Sequence, residues 1–206
     1  NFKKSEIKEC YIHTPYYINL ASADSKIRNA SIRVIREELE RGSALGVKYV
    51  MTHLGSARGL ERSAAMETTI VGIRKILEDY GGTTLLLLEN SAGSGDVVGN
   101  RFEELAAIIK KVPNLARKYL GVCFDTCHAF ASGYDLRIKE AVGKTIEEFD
   151  KIIGLKYLKM IHANDSKTDF GQRVDRHEHI GRGQIGLAGF EALINHPALK
   201  NINMIA

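Results

Sequence analysis

The sequence predicts an α/β fold in which repeated β/α units surround a parallel sheet. Three observations carry this expectation. Short β-rich runs alternate with longer amphipathic segments along all 206 residues. The β-rich runs are nearly continuous in apolar residues, so both of their faces are expected to be buried. No low-complexity linker divides the chain, which therefore reads as a single domain over 1–206.

The elements follow in order. Glu9 to Ile12 is the first strand. Lys26 to Leu45 is a crossover helix, because Ile27, Ile32, Ile35, Leu39 and Leu45 recur at helical spacing before Gly46 ends the segment. Further strands are expected at Lys48 to Thr52, Thr84 to Glu89, Leu120 to Asp125, Leu158 to His162 and Ile202 to Ile205. Helices are expected at Leu60 to Tyr80, Arg101 to Lys111, Thr145 to Ile153 and Leu187 to Asn195. The loop Ser91 to Asn100, rich in Gly, Ser and Asn, is too short to be a linker. A barrel or an open doubly wound sheet would bury such strands equally well. A complete (β/α)8 TIM barrel takes about 250 residues, so this chain would supply about six of its eight units. The polar start Asn1 to Glu9 and the strand-like end Ile202 to Ala206 suggest that the first strands and the end of the last unit are missing.

Composition narrows the class. The chain is 44% hydrophobic and 26% charged, as a soluble domain with one sizeable core would be. No apolar run reaches the roughly 18 residues of a membrane span; Thr84 to Leu88 is flanked by Gly82 and Glu89. No signal-peptide pattern is present, so an intracellular place is expected, cytoplasmic in a bacterium. A net charge of +4 suits a polyanionic partner, though many small-molecule enzymes are as basic. Cys10, Cys123 and Cys127 suit a reducing compartment and read as buried thiols.

Metal-capable side chains stand at or just past the C-terminal end of strand after strand. These are His13, His53, Glu89, then Asp125 with His128 three residues on, then His162 followed by the loop pair Asp175 and His177. In parallel β/α architectures these ends converge on the face where sites are built. Eight such groups crowded together would repel and be costly to desolvate, and divalent cations remove that cost. Imidazole and carboxylate without thiolate point to zinc, with manganese or iron as lesser candidates. Glu89, central among the strands, can bridge two ions about 3.5 to 4 Å apart and thereby enters the catalytic step. Any one of these histidines alone would more often be structural; five of the seven histidines in this pattern reverse that. His179 and His196 are left out of the set.

At these residues the chain resembles the endonuclease IV family of apurinic/apyrimidinic endonucleases. The resemblance runs through His13-Thr14-Pro15-Tyr16-Tyr17-Ile18-Asn19-Leu20, Glu89-Asn90-Ser91-Ala92-Gly93, Cys123-Phe124-Asp125-Thr126-Cys127-His128-Ala129-Phe130, His162-Ala163-Asn164-Asp165-Ser166-Lys167 and Arg173-Val174-Asp175-Arg176-His177. It implies an eight-stranded barrel and three zinc ions. His13, His53 and Glu89 would hold the first, Glu89, Asp125 and His162 the second, and His128, Asp175 and His177 the third. The family's second ion has one further ligand, a glutamate at the end of the last strand, expected just after Ala206.

The implied activity is hydrolysis of the phosphodiester 5′ to an abasic site in double-stranded DNA, leaving a 3′-hydroxyl, with trimming of blocked 3′ ends. Tyr16 would lie beside the DNA near the lesion, and Lys167, Arg173, Arg176 and Arg182 could reach phosphates. A monomer is the default expectation. The principal alternative is a metal-dependent sugar isomerase on the same kind of barrel. It needs fewer ions, and the spaced pair Asp125 and His128 with the Asp175/His177 loop would be superfluous there. A non-catalytic DNA-binding protein with structural zinc is the second alternative, against which stands a ligand set without cysteine.

Overall fold

The structure is a computed structural model and describes residues 9–206. Its elements are β1 (Tyr11–His13), α1 (Ser25–Leu45), β2 (Tyr49–Thr52), α2 (Arg62–Leu77), β3 (Leu85–Glu89), α3 (Phe102–Lys111), α4 (Asn114–Arg117), β4 (Leu120–Asp125), α5 (Thr126–Ala131), α6 (Lys139–Ile152), β5 (Leu158–His162), β6 (Asp165–Ser166), β7 (His177–Glu178), α7 (Gly186–Ile194) and β8 (Asn203–Ile205). Six strands pair in parallel in the order β1-β2-β3-β4-β5-β8, and β6 and β7 form a separate antiparallel pair. This is a β/α barrel sheet. It curls so far that side chains of the two edge strands meet, with Asn203 donating to Glu9 and to the Tyr11 hydroxyl, each at 2.5 Å.

The strands carry two apolar faces, as continuous apolar runs require. Val50, Leu86, Leu88, Val122, Phe124 and Ile161 belong to the large core shared with the surrounding helices. Tyr49, Met51, Leu87, Cys123 and Met160 form the smaller cluster inside the barrel. Between β4 and β5 the register shifts, pairing Val122 with Leu158 but Cys123 with Met160. The extra residue, Lys159, is a bulge that turns Met160 and therefore His162 inward.

Helix α1 is bounded as its sequence suggests: Asp24 accepts from the Lys26 N–H at 2.7 Å, and Gly46 ends the helix at φ 75°. Of its expected apolar stripe, Ile35 and Leu39 are fully buried, whereas Ile27 and Leu45 are exposed. The sheet needs only the middle of the helix, and the two ends overhang it.

Three departures from the expected elements stand out. Helix α6 begins at Lys139 and not Thr145, because Val142 joins Ile146 and Phe149 on one buried face. Helix α5 follows β4 directly and is buried along its whole length, so it has no polar face to betray it. Cys10 is exposed, in contrast to the expectation of a buried thiol; Cys123 and Cys127 are buried. Cys10 lies just before β1, the edge strand of the sheet. Among the described residues no helix is long and apolar enough to cross a membrane.

Candidate metal centre

Convergence of the side chains follows from the period of two in a strand. Tyr11 and His13 share one face of β1, and Leu85, Leu87 and Glu89 one face of β3. Cys123 and Asp125, and Met160 and His162, repeat the pattern on β4 and β5. His53 continues the face of Tyr49 and Met51 one residue past β2. The polar group at each strand end therefore caps the inward apolar column and faces the same space. His128 reaches it from α5, whose first turn is capped by the Asp125 carboxylate accepting from the His128 N–H at 2.8 Å. Asp175 and His177 come from the segment between β6 and β7 and from β7 itself.

Glu89 is the centre. It is buried, with Oε2 at 2.9 Å from His13 Nε2 and Oε1 at 3.0 Å from His162 Nδ1 and 3.6 Å from His128 Nδ1. Asp175 stands 3.2 Å from both His128 Nε2 and His177 Nε2, and those two nitrogens face each other at 3.4 Å. Asp125 Oδ2 lies 4.0 Å from His162 Nδ1 and 3.9 Å from His177 Nε2. Potential ligand atoms of His13, His53 and Glu89 lie within 4.8 Å of one another, as do those of His128, Asp175 and His177. All eight side chains singled out in the sequence thus meet on one rim.

The tautomers test whether this set fits a cation. A carbonyl oxygen only accepts, so His13 Nδ1 at 2.6 Å from the Thr14 carbonyl must donate, and His128 Nδ1 at 2.9 Å from the Asn90 carbonyl must donate too. Each Nε2 then faces a carboxylate, Glu89 for His13 and Asp175 for His128, and either carries a proton that it donates or shares a cation with that carboxylate. Either way, positive charge must lie between nitrogen and carboxylate. Divalent ions supply it for several groups at once, and backbone carbonyls that lock imidazole tautomers are the usual support of metal-ligating histidines. The donor set fits.

Charge shifts express the same demand. Burial opposes ionisation of Glu89, but the hydrogen bonds from His13 and His162 outweigh it and hold the carboxyl well below the usual range. Hydrogen bonds from His128 and His177 hold Asp175 down as well. The Glu89 carboxylate raises His13, and that of Asp175 raises His177. Burial opposes charge on His128, yet Asp125, Asp175 and Glu89 together push it up to about 10. Burial lowers His53.

Several supporting residues carry no ligand pattern and were invisible to spacing arguments. Asn90 ties β3 to β4, its Oδ1 accepting from the Asp125 N–H at 2.7 Å and its Nδ2 donating to the Asp125 carbonyl at 3.0 Å. Asn164 donates to Asp125 Oδ2 at 2.6 Å. Thr14 donates to Thr52 at 2.8 Å, joining the ends of β1 and β2. Beside the rim opens a cleft of about 580 Å³ whose walls include Tyr16, His53, Arg58, Ser94, His128 and Asp175. Tyr16 is 89% exposed at its mouth. The Gly-rich loop over this cleft is pinned by Arg62, which donates to the Val97 carbonyl, to Asn100 and, with two nitrogens, to Glu104. Lys167, Arg173, Arg176 and Arg182 are exposed in the segment that carries Asp175 and His177.

Residues 2–206 match the family model described as xylose isomerase-like TIM barrel. Among curated relatives, a probable endonuclease 4 of Methanoculleus marisnigri is 43% identical, the match covering 94% of this chain and 68% of the relative. A probable endonuclease 4 of Chloroflexus aurantiacus is 41% identical over 98% of this chain and 71% of the relative. Among solved structures, endonuclease IV from Thermus thermophilus superposes with a TM-score of 0.80 at 35% identity, covering 96% of this chain and 68% of that one. A D-tagatose 3-epimerase-like protein superposes with a TM-score of 0.74 at 23% identity, a likeness of fold.

Proposed function

The chain belongs to the endonuclease IV family of xylose isomerase-like barrels, and from that premise we propose that its rim holds three zinc ions and cuts duplex DNA on the 5′ side of abasic sites. As a family member it is a DNA-repair endonuclease, a metal-dependent hydrolase of phosphodiester bonds. His13, His53 and Glu89 would hold the first ion, Glu89, Asp125 and His162 the second, and His128, Asp175 and His177 the third. The observation that carries the reading is the pair of carbonyl-locked imidazoles, His13 and His128, each with its Nε2 facing a rim carboxylate.

Bound zinc would lower the pKa of water toward about 7 and neutralise charge on the phosphoryl and leaving oxygens. The chain's own residues do the arranging. Glu89 presents one oxygen to His13 and the other to His162 and His128, as a carboxylate shared between two ions would. Asn90 and Asn164 keep Asp125 aimed at the rim. Tyr16 stands at the mouth of the cleft, where it would lie against DNA at the lesion. An abasic nucleotide has no base to unpair, so turning it into such a cleft costs less than flipping an intact one. Lys167, Arg173, Arg176 and Arg182 would hold phosphates on either side. A monomer suffices for all of this.

The test is cleavage of a duplex with one abasic site against the same duplex intact, with metal analysis of the full-length protein. Cutting 5′ to the lesion, a 3′-hydroxyl product and about three zinc ions per chain are expected. Epimerisation or isomerisation of a ketose without DNA cleavage would overturn the reading.

A further inference from the structure

Away from the metal rim, the densest set of backbone hydrogen bonds to one side chain surrounds Asp165. It is fully buried in β6. Its two oxygens accept from the main-chain N–H groups of Ser166 (2.8 Å), Gly181 (2.9 Å), Gly183 (3.0 Å), Ile185 (2.9 Å) and Gly186 (3.2 Å). Gly181-Arg182-Gly183-Gln184-Ile185-Gly186 is a G-x-G-x-x-G run opening a helix, a pattern that wraps phosphates when the anion is a ligand. Here the anion is internal. Gly181 and Gly186 take the left-handed conformation, with φ of 79° and 73°. A Cβ on Gly183 would stand 2.4 Å from the Ser166 carbonyl oxygen and 2.6 Å from Asp165 Oδ1.

The glycine loop follows directly on the segment that carries two of the proposed ligands. Every residue from Asp169 to His177 is exposed, so burial in the core does not hold this strap. Its leading part is tied to the end of α5, through Gly171 N–H to the Phe130 carbonyl and Arg173 N–H to the Ala131 carbonyl. Its trailing part is tied to β6: His177 pairs with Ser166, Glu178 with Asp165, and the Lys167 N–H donates to the Arg176 carbonyl. The Gln184 N–H then donates back to the Ser166 carbonyl. Asp165 gathers the loop at its far end, and Asp175 and His177 lie between the two anchors.

Resting on the ligand assignment above, we infer that Asp165 is a positioning residue that sets Asp175 and His177 at the rim, acting through the glycine loop without touching metal or DNA. It closes the strap as a latch, one carboxylate replacing the phosphate for which such a nest of amides is suited. Supporting residues of this kind cost 10–100-fold in metal affinity or activity when removed.

The experiment uses Asp165→Ala in the full-length protein, with Gly183→Ala as a second variant that crowds the latch while keeping the carboxylate. Both are expected to bind one ion fewer than wild type and to lose about 10–100-fold in kcat/KM on an abasic duplex. The amides of Gly181, Gly183 and Ile185 should lose hydrogen-exchange protection in Asp165→Ala. Formate, filling the emptied nest, should restore ions and activity saturably in Asp165→Ala and do nothing for wild type. If Asp165→Ala does not fold, Gly183→Ala carries the comparison. A full ion complement with wild-type kcat/KM in the folded variants overturns the inference, as does a loss with unchanged protection of those amides or a loss that formate leaves untouched. If wild type itself binds no metal, the ligand assignment falls, and amide protection retained in Asp165→Ala still overturns the latch.

Discussion

His128 Nδ1 donates to the main-chain carbonyl of Asn90 at 2.9 Å, so the residue after the central glutamate decides which nitrogen of a histidine 38 positions away faces the rim. Asn90 also holds both main-chain polar groups of Asp125 with its side chain. Asn90→Ala should therefore remove the side-chain partner of the buried Asp125 N–H, at a cost of about 1–3 kcal/mol. Denaturant melts should show that loss, and metal titration a 10–100-fold weaker affinity of the type seen when ligand supports are removed. Unchanged metal affinity would count against Asn90 as a support.

Glu89→Gln keeps the shape of the side chain and removes its charge. Cleavage should fall by more than about 100-fold, beyond the range of residues that merely support ligands, while binding to abasic duplex persists through phosphate contacts. His196→Ala is the control. His196 accepts from the Ala198 N–H at the turn Pro197–Leu199 and lies outside the set of rim residues. Steady-state kinetics beside a binding titration separates the two variants.

Removing metal should soften the whole rim, because binding to the native state alone adds stability by mass action. A chelator is expected to lower the melting temperature, and zinc should restore it in a concentration-dependent way. A melting temperature indifferent to both would argue against ligands drawn from five strand ends.

Thiol chemistry should report the fold directly. Burial raises Cys123 well above the ordinary thiol range and pushes Cys127 up to about 12, whereas Cys10 is exposed. The thiolate is the reactive form, so a disulfide reagent at pH 8 should modify one thiol quickly and the other two only on unfolding. By the same linkage the unfolded chain loses these protons first, so their contribution to stability is present below about pH 8.5 and declines above it. Peptide mapping of the labelled cysteine checks the first point, and melts from pH 7 to 10 the second.

Tyr16→Ala should act on DNA and not on metal. Loss of a stacking surface is worth about 1–3 kcal/mol, so KM for abasic duplex should rise by about fivefold or more with the ion count unchanged. A fall in bound metal would place Tyr16 among the rim supports.

The sequence by itself determined the parallel β/α architecture and the identity of the rim, for one physical reason. A strand alternates faces with a period of two, so a histidine or acid two residues beyond an inward apolar residue must point the same way, as Glu89 follows Leu87 and His162 follows Met160. Helix α6 was legible only from Thr145 because Lys139 to Lys144 is mostly polar and small, and its one anchoring residue, Val142, shows its meaning only when packed with Ile146 and Phe149. Helix α5 was not legible, since a short helix buried on every side has no periodicity to display. Tertiary structure alone decided which imidazole nitrogen faces the carboxylates and what fills the glycine loop. Those outcomes depend on main-chain carbonyls and amides, which every residue carries alike. Only folding brings the carbonyl of Asn90 to His128, and the amides of Gly181 to Gly186 to Asp165.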